Sequence, residues 1–279
     1  MVDGLLDLTA FLKLTELLSG KRFAVLTGAG VSTDSGIPDY RSPGRPKPNP
    51  IQHRQFVADA AWRQRYWARS LIGWERLRSA LPNESHRALA KLEMAGQLTG
   101  LITQNVDRLH QLAGSRRIIE LHGALAEVRC LNCEGFESRE VLQLRLRALN
   151  PGFESDLAGG MPDGDAEVSP VRLEGFCVAP CVSCGGTLMP NVVFFGGTVA
   201  PSVVADAMAC VDRAGALLVL GSSLTVFSGY RFVRRAVERG IPIAIVSLGP
   251  TRGDPEATLK LEAPLAEVVP RLAARLCRA

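Results

Sequence analysis

No apolar run in this chain reaches the ~18 residues of a membrane-spanning helix, because charges and turn residues interrupt each one. The first leucines are broken up by Asp7 and Lys13, and no basic segment precedes them, so no secretory signal is expected. Nor is the start arginine-rich and acid-poor in the manner of a transit peptide. Neither sign of charge dominates. With 32 basic and 28 acidic residues the formal charge is +4, too weak and too dispersed for nucleic acid to be the main ligand. Lysine is scarce (Lys13, Lys21, Lys47, Lys91 and Lys260), a skew that composition bias explains without a function. Histidine is scarcer: His53, His86, His110 and His122 are the whole supply for a base working near neutral pH. A cytoplasmic enzyme is the default expectation, with no membrane and no nucleic acid among its partners.

The 279 residues are 47% hydrophobic, enough for one large core or for a main domain carrying a smaller module. Residues 5 to 19 carry Leu5, Leu8, Leu12 and Leu17 at helical spacing, and Gly20 can stop that helix. Residues 56 to 80, with Trp62, Tyr66, Trp67, Leu71 and Trp74, read as amphipathic helices, and His86 to Met94 as another. Four short apolar runs read as buried strands: Phe23 to Leu26, Leu98 to Thr103, Ala216 to Leu220 and Ile243 to Val246. Each ends in small or polar residues: Thr27-Gly28-Ala29-Gly30-Val31-Ser32, Gln104-Asn105-Val106-Asp107, Gly221-Ser222-Ser223 and Ser247-Leu248-Gly249. Strands alternating with helices imply an α/β fold with a doubly wound parallel sheet, which binds ligands beyond the carboxyl ends of its strands. Four loops converging there make a nucleotide site the expectation.

The glycine turn departs from the dinucleotide fingerprint, since Thr33 stands at the third glycine position and no acid follows at ribose distance. As a phosphate-binding turn it remains good, because Gly28 and Gly30 allow close backbone approach. Residues 127 to 188 differ in character, with poor strand patterning, five of the seven cysteines and a turn-rich stretch from Asn150 to Asp165. The pairs Cys130-x-x-Cys133 and Cys181-x-x-Cys184 have the form of two knuckles that complete a tetrahedral four-thiolate site, closed and hence structural. An iron–sulfur cluster shares that ligand set, and Cys177 offers a competing partner for Cys181. Cys210 and Cys277 read as ordinary helix residues. Among the histidines, His86 lies in a helix-cap sequence and reads as structural, His110 could orient the Asn105/Asp107 loop, and His122 ends an apolar run beside the cysteine module, where a cleft is expected.

Several segments together resemble the sirtuin (Sir2) family. They are Gly28 through Arg41, Thr103 through His110, Leu121-His122-Gly123, the two knuckles, Val192-Val193-Phe194-Phe195-Gly196 and Gly221 through Leu224, in order and at family spacing from about residue 15 onward. Further segments, including Arg63 through Arg69, Pro162 through Asp165 and Ser228 through Phe232, resemble the class II branch that contains the fourth mitochondrial sirtuin. The missing transit peptide suggests a bacterial member.

The resemblance implies a Rossmann-like NAD-binding domain (residues 1–40, 81–126 and 189–279), a helical module with a cofactor loop (41–80) and an inserted zinc-binding module (127–188). It implies NAD-dependent removal of acyl groups from lysine side chains of proteins or peptides, giving nicotinamide, O-acyl-ADP-ribose and free lysine. His122 would be the base for the ribose hydroxyls, assisted by Asn105 and Asp107. NAD would be held by Gly28, Ala29, Gly30, Ser32, Thr33, Asp39, Tyr40, Arg41, Gln104, Asn105, Val106, Asp107, Gly221, Ser222, Ser223, Ser247, Leu248, Gly249 and Leu265. Val193 and Phe195 would border the acyl-lysine tunnel, with the peptide adding as a strand against the Gly196 and Leu224 segments. Cys130, Cys133, Cys181 and Cys184 would hold one structural zinc. Two positions depart from the family pattern: Gly197 replaces a common glutamate, and Leu265 stands near a cysteine usual beside the adenine. Two alternatives use the same NAD pocket: a mono-ADP-ribosyltransferase and a weakly active NAD sensor. Acyl preference is open. Arg65 and Arg69, four apart on one helix face, could meet an acidic acyl chain or form a solvated face.

Overall fold

A computed structural model of the chain describes residues 6–39, 50–154, 168 and 173–277. Its main sheet has six strands, all paired in parallel. They are β1 (Phe23–Thr27), β2 (Leu98–Thr103), β3 (Ile118–Glu120), β7 (Leu217–Leu220), β8 (Ile243–Val246) and β9 (Leu259–Leu261), in the order β3-β2-β1-β7-β8-β9. β1, β2, β7 and β8 are buried at every position. Helices cover both faces, so these strands read as continuous apolar runs and not as alternating ones. One face packs against α1 (Leu8–Leu18), α4 (Glu84–Met94) and α9 (Leu265–Leu276). The other packs against α7 (Pro201–Asp212) and α8 (Phe227–Glu238). Each fully buried side chain there, such as Phe23, Leu89 or Phe232, contributes about 1.5–3 kcal/mol.

Helix starts follow local chemistry. The Asp7 carboxylate accepts from the Thr9 and Ala10 amides at the head of α1. Asn83 accepts from the Ser85 and His86 amides at the head of α4, while His86 Nδ1 reaches back to the Asn83 amide. The cap reading of His86 therefore holds.

The cysteine-rich stretch is better ordered than its sequence pattern suggests. β4 (Gly123–Cys130), β5 (Phe136–Ser138) and β6 (Leu188–Val192) form an antiparallel sheet in the order β5-β4-β6, backed by α6 (Arg139–Leu149). Its core is shared with α2 (His53–Ala58) and α3 (Ala60–Ser79): Phe56, Tyr66, Trp67 and Leu71 pack on Val128, Leu142, Leu146 and Leu188. The long middle helix of the 56–80 region thus buries its aromatic face against the small sheet. Arg69, placed by spacing alone on a candidate solvated face, is buried on that same helix, and Arg65 stacks its guanidinium over Trp62 at 5.4 Å. The solvated reading is therefore overturned for Arg69, which is buried, whereas Arg65 is half-buried. Tyr40, Arg41 and the Pro162–Asp165 segment lie outside the described residues. No described helix is long and apolar enough to cross a membrane.

Candidate active site

In the order β3-β2-β1-β7-β8-β9 the chain leaves β1 first in one direction and later in the other, so the switch point lies between β1 and β7. The loops that follow those two strands meet there. Gly28 N donates to the Leu220 carbonyl at 3.0 Å and Gly30 N to the Gly221 carbonyl at 2.9 Å. A Cβ on Gly28 would lie 2.8 Å from the Gly221 oxygen, and one on Gly30 would lie 2.9 Å from Gly221 Cα. The glycines are thus required first by the contact between two loops. The dinucleotide crevice, which suits NAD by topology, is the result of that contact.

β2 delivers the next group. Ser222 Oγ donates to Gln104 Oε1 at 2.6 Å, and Leu224 N donates back to Ser222 Oγ at 3.2 Å, holding Leu224 in the left-handed region at φ 57°. Ser32 Oγ donates to Asp107 Oδ2 at 2.6 Å and accepts from Asn105 Nδ2 at 3.1 Å. Burial pushes the Asp107 carboxyl up, and the hydrogen bonds from Ser32 and Leu109 N oppose that rise. Ser32 and Ser222 are both buried and both spend their hydroxyls on these partners. Their side chains brace the loops, which leaves the backbone to face a phosphate.

His122 lies between β3 and β4. Its Nδ1 is 3.0 Å from the Gln104 carbonyl oxygen, which can only accept, so Nδ1 carries the hydrogen. Burial lowers its pKa from the usual value and the Gln104 bond works against that, so the ring is neutral at pH 7. Nε2 keeps its lone pair and lies 2.8 Å from Ser228 Oγ near the start of α8. Sequence reasoning missed Ser228 as a partner of His122, since 106 positions separate the two. The His122 carbonyl accepts from Val193 N at 2.9 Å. Gly123 follows at φ 76°, where a Cβ would lie 2.1 Å from the Asn191 oxygen.

Not every residue of the expected set converges. Gln104, Asn105, Asp107, His122, Gly28, Gly30, Ser32, Gly221 and Ser222 form one connected group around the switch point. Ser247, Leu248 and Gly249 follow β8, one strand further out. Gly249 is fixed by the Glu262 carboxylate on its N–H and by Lys260 Nζ on its carbonyl. Leu265 opens α9 with its side chain in the core, so only its backbone can face a ligand. Phe195 is 41% exposed, and its carbonyl accepts from His53 N at 2.9 Å. Gly196 adopts φ 74°, and a Cβ there would meet Gln52 Oε1 at 3.2 Å.

The thiols of Cys130, Cys133, Cys181 and Cys184 lie within 4.8 Å of one another, with Cys130–Cys184 at 3.5 Å and Cys133–Cys181 at 3.8 Å. Four sulfurs around a tetrahedral zinc at 2.3 Å stand about 3.8 Å apart, so the donor set fits a single zinc and leaves no room for a multi-iron cluster. The backbone N–H of Cys133, helped by that of Asn132, draws the Cys130 thiol down to about 7, whereas, against the pull of the Gly186 N–H, the neighbouring thiols Cys133 and Cys130 push Cys184 up to about 12. Cys177 is exposed and outside this group, its amide donating to Asn150 Oδ1.

Residues 28–228 match the Sir2 family. The chain is 54% identical over 269 residues to NAD-dependent protein deacetylase 1 of Mycobacterium avium (strain 104), covering 95% of each chain. It is 50% identical over 255 residues to the human NAD-dependent protein lipoamidase sirtuin-4, mitochondrial, covering 90% of this chain and 81% of that one. A Sir2 protein solved with a p53 peptide and NAD+ superimposes with a TM-score of 0.77 at 33% identity, covering 96% of this chain and 98% of that one. With its switch-point crevice and four-thiol module in place, the chain belongs to the Sir2 family.

Proposed function

We propose that this protein removes acyl groups from lysine side chains of proteins, with NAD as co-substrate. The observation that carries the reading is His122: a neutral imidazole at the strand-end crevice, its hydrogen fixed on Nδ1 and its Nε2 lone pair accepting from the Ser228 hydroxyl, which a ribose hydroxyl can replace. Backbone of Gly28, Ala29 and Gly30 suits the pyrophosphate, Gln104, Asn105 and Asp107 the nicotinamide ribose, and Ser247 to Gly249 the adenosine half. Bound NAD supplies an electrophilic ribose carbon to the acyl oxygen as nicotinamide departs. His122 Nε2 then receives a ribose hydroxyl proton, with Ser228 Oγ as the group it displaces. No side chain need act as nucleophile.

The acyl-lysine enters beside Val193 and Phe195, and the peptide lies along the Gly196 and Leu224 segments. The zinc, held by four cysteines in the small module, shapes that module and takes no part in proton transfer. A cytoplasmic setting suits this module, because its thiols bind metal only when reduced. Relatives carry both deacetylase and lipoamidase names, so the acyl group must be found by assay.

The test is NAD plus peptides bearing acetyl, lipoyl, succinyl and long acyl groups. O-acyl-ADP-ribose is the expected product, and His122→Ala should lower turnover about 10²–10⁴-fold with zinc content unchanged. Label transfer from NAD onto protein with no acyl product would favour the ADP-ribosyltransferase reading. Undiminished turnover in His122→Ala would remove the base assigned here.

A further inference from the structure

Thr27 closes β1 just before the glycine turn, and Thr103 closes β2 just before Gln104. The two stand opposite each other in the parallel pairing, and Thr27 Oγ1 donates to Thr103 Oγ1 at 2.9 Å. His110 reaches this pair from α5 (Leu109–Leu112), its ring buried and its Nε2 3.0 Å from Thr27 Oγ1. Thr27 has one hydroxyl hydrogen and gives it to Thr103, so His110 Nε2 is the donor to Thr27. Thr103 Oγ1 also accepts the Asn105 amide at 3.1 Å. From there the connections continue: Asn105 Nδ2 to Ser32 Oγ, Ser32 Oγ to Asp107 Oδ2, and Leu109 N to Asp107 Oδ1 at 2.9 Å. Leu109 is the residue before His110, so the path returns to its start.

We propose that His110 is a positioning residue for the deacylation described above, and the proposal rests on that reading. His110 closes a ring of hydrogen bonds through Thr27, Thr103, Asn105, Ser32 and Asp107. The ring ties the glycine turn and the Asn105–Asp107 loop to one register before any ligand arrives. His110 itself hydrogen-bonds into the strand ends and to neither Asn105 nor Asp107. Its effect therefore reaches the reaction through Thr103 and through the Leu109 amide, next to it in the chain, which donates to Asp107.

The experiment compares wild type with His110→Leu, His110→Gln and Thr103→Val for kcat, KM, melting temperature and amide hydrogen exchange of segment 103–109. His110→Leu and Thr103→Val should lose at least about 10-fold in kcat with little change in peptide KM, and exchange in the segment should rise. Gln keeps a nitrogen donor and should recover most of the loss. If His110→Leu does not fold, Thr103→Val, which keeps shape and removes the shared hydroxyl, decides. A kcat within about twofold of wild type in the folded variants, or unchanged exchange, overturns the proposal. So does an equal loss in the Gln and Leu variants that tracks the fall in melting temperature. Should wild type turn over no acyl-peptide, the deacylase reading falls, and the exchange data still decide the role of His110.

Discussion

In the large sheet, β1, β2, β7 and β8 bury every residue between two helical layers, whereas β5 of the small sheet leaves Phe136 67% exposed. The large sheet is held by area: one face alone gathers side chains from α1, α4 and α9 around Phe23, Val25, Leu218 and Val246. The small sheet has three strands and must borrow Phe56, Tyr66 and Trp67 from α2 and α3 to complete its core. A module of that size gains from a metal tie what it cannot gain from burial. The thiol knot and the shared aromatic core therefore answer the same deficit, and the candidate site lies where the two sheets meet.

The largest expected effect breaks this comparison directly. Cys130→Ser, or zinc removal by chelator, should uncouple the small module at a cost on the order of several kcal/mol, so that calorimetry shows it melting before the large sheet. One unchanged transition would mean that aromatic packing alone suffices. A smaller loss is expected at the seam. Gly123→Ala places a Cβ 2.1 Å from a backbone oxygen at φ 76°, and should lower stability by about 3 kcal/mol in urea denaturation.

A third prediction concerns the large sheet alone. Burial, with Arg87 nearby, holds His86 down at about 4, so between pH 6.5 and 4 the unfolded chain binds a proton that the folded chain refuses. Stability should fall by about 3 kcal/mol from pH 7 to pH 4 through this group. His110, also held well below its usual value, adds to the fall, and Asp107, pushed up, opposes it at the acid end. Denaturation curves at both pH values check this, and His86→Gln should flatten the difference.

The sequence shows its buried parallel strands plainly, because double-sided burial leaves an apolar run between turn residues, as in Phe23 to Thr27. The knuckles and the glycine turn are equally legible, since local spacing carries their meaning. β9 is not, being three residues with Lys260 in the middle, and neither is β5, whose Phe136-Glu137-Ser138 has no buried face to mark it. The burial of Arg69 depends on tertiary packing around α3, which helix spacing cannot register. Ser32 and Ser222 stand out in the sequence as candidate site residues but not in their bracing roles, because their partners follow another strand.

His122 is fastened twice. Its ring is held from the large sheet's side by Gln104 and Ser228, and its carbonyl by Val193, at the end of the return path from the small sheet. It acts as a rivet through two plates. On the proposed reading, a peptide that shifts the Val193–Phe195 segment would pull on the backbone of the proposed base, so substrate seating and base alignment would become a single mechanical coordinate.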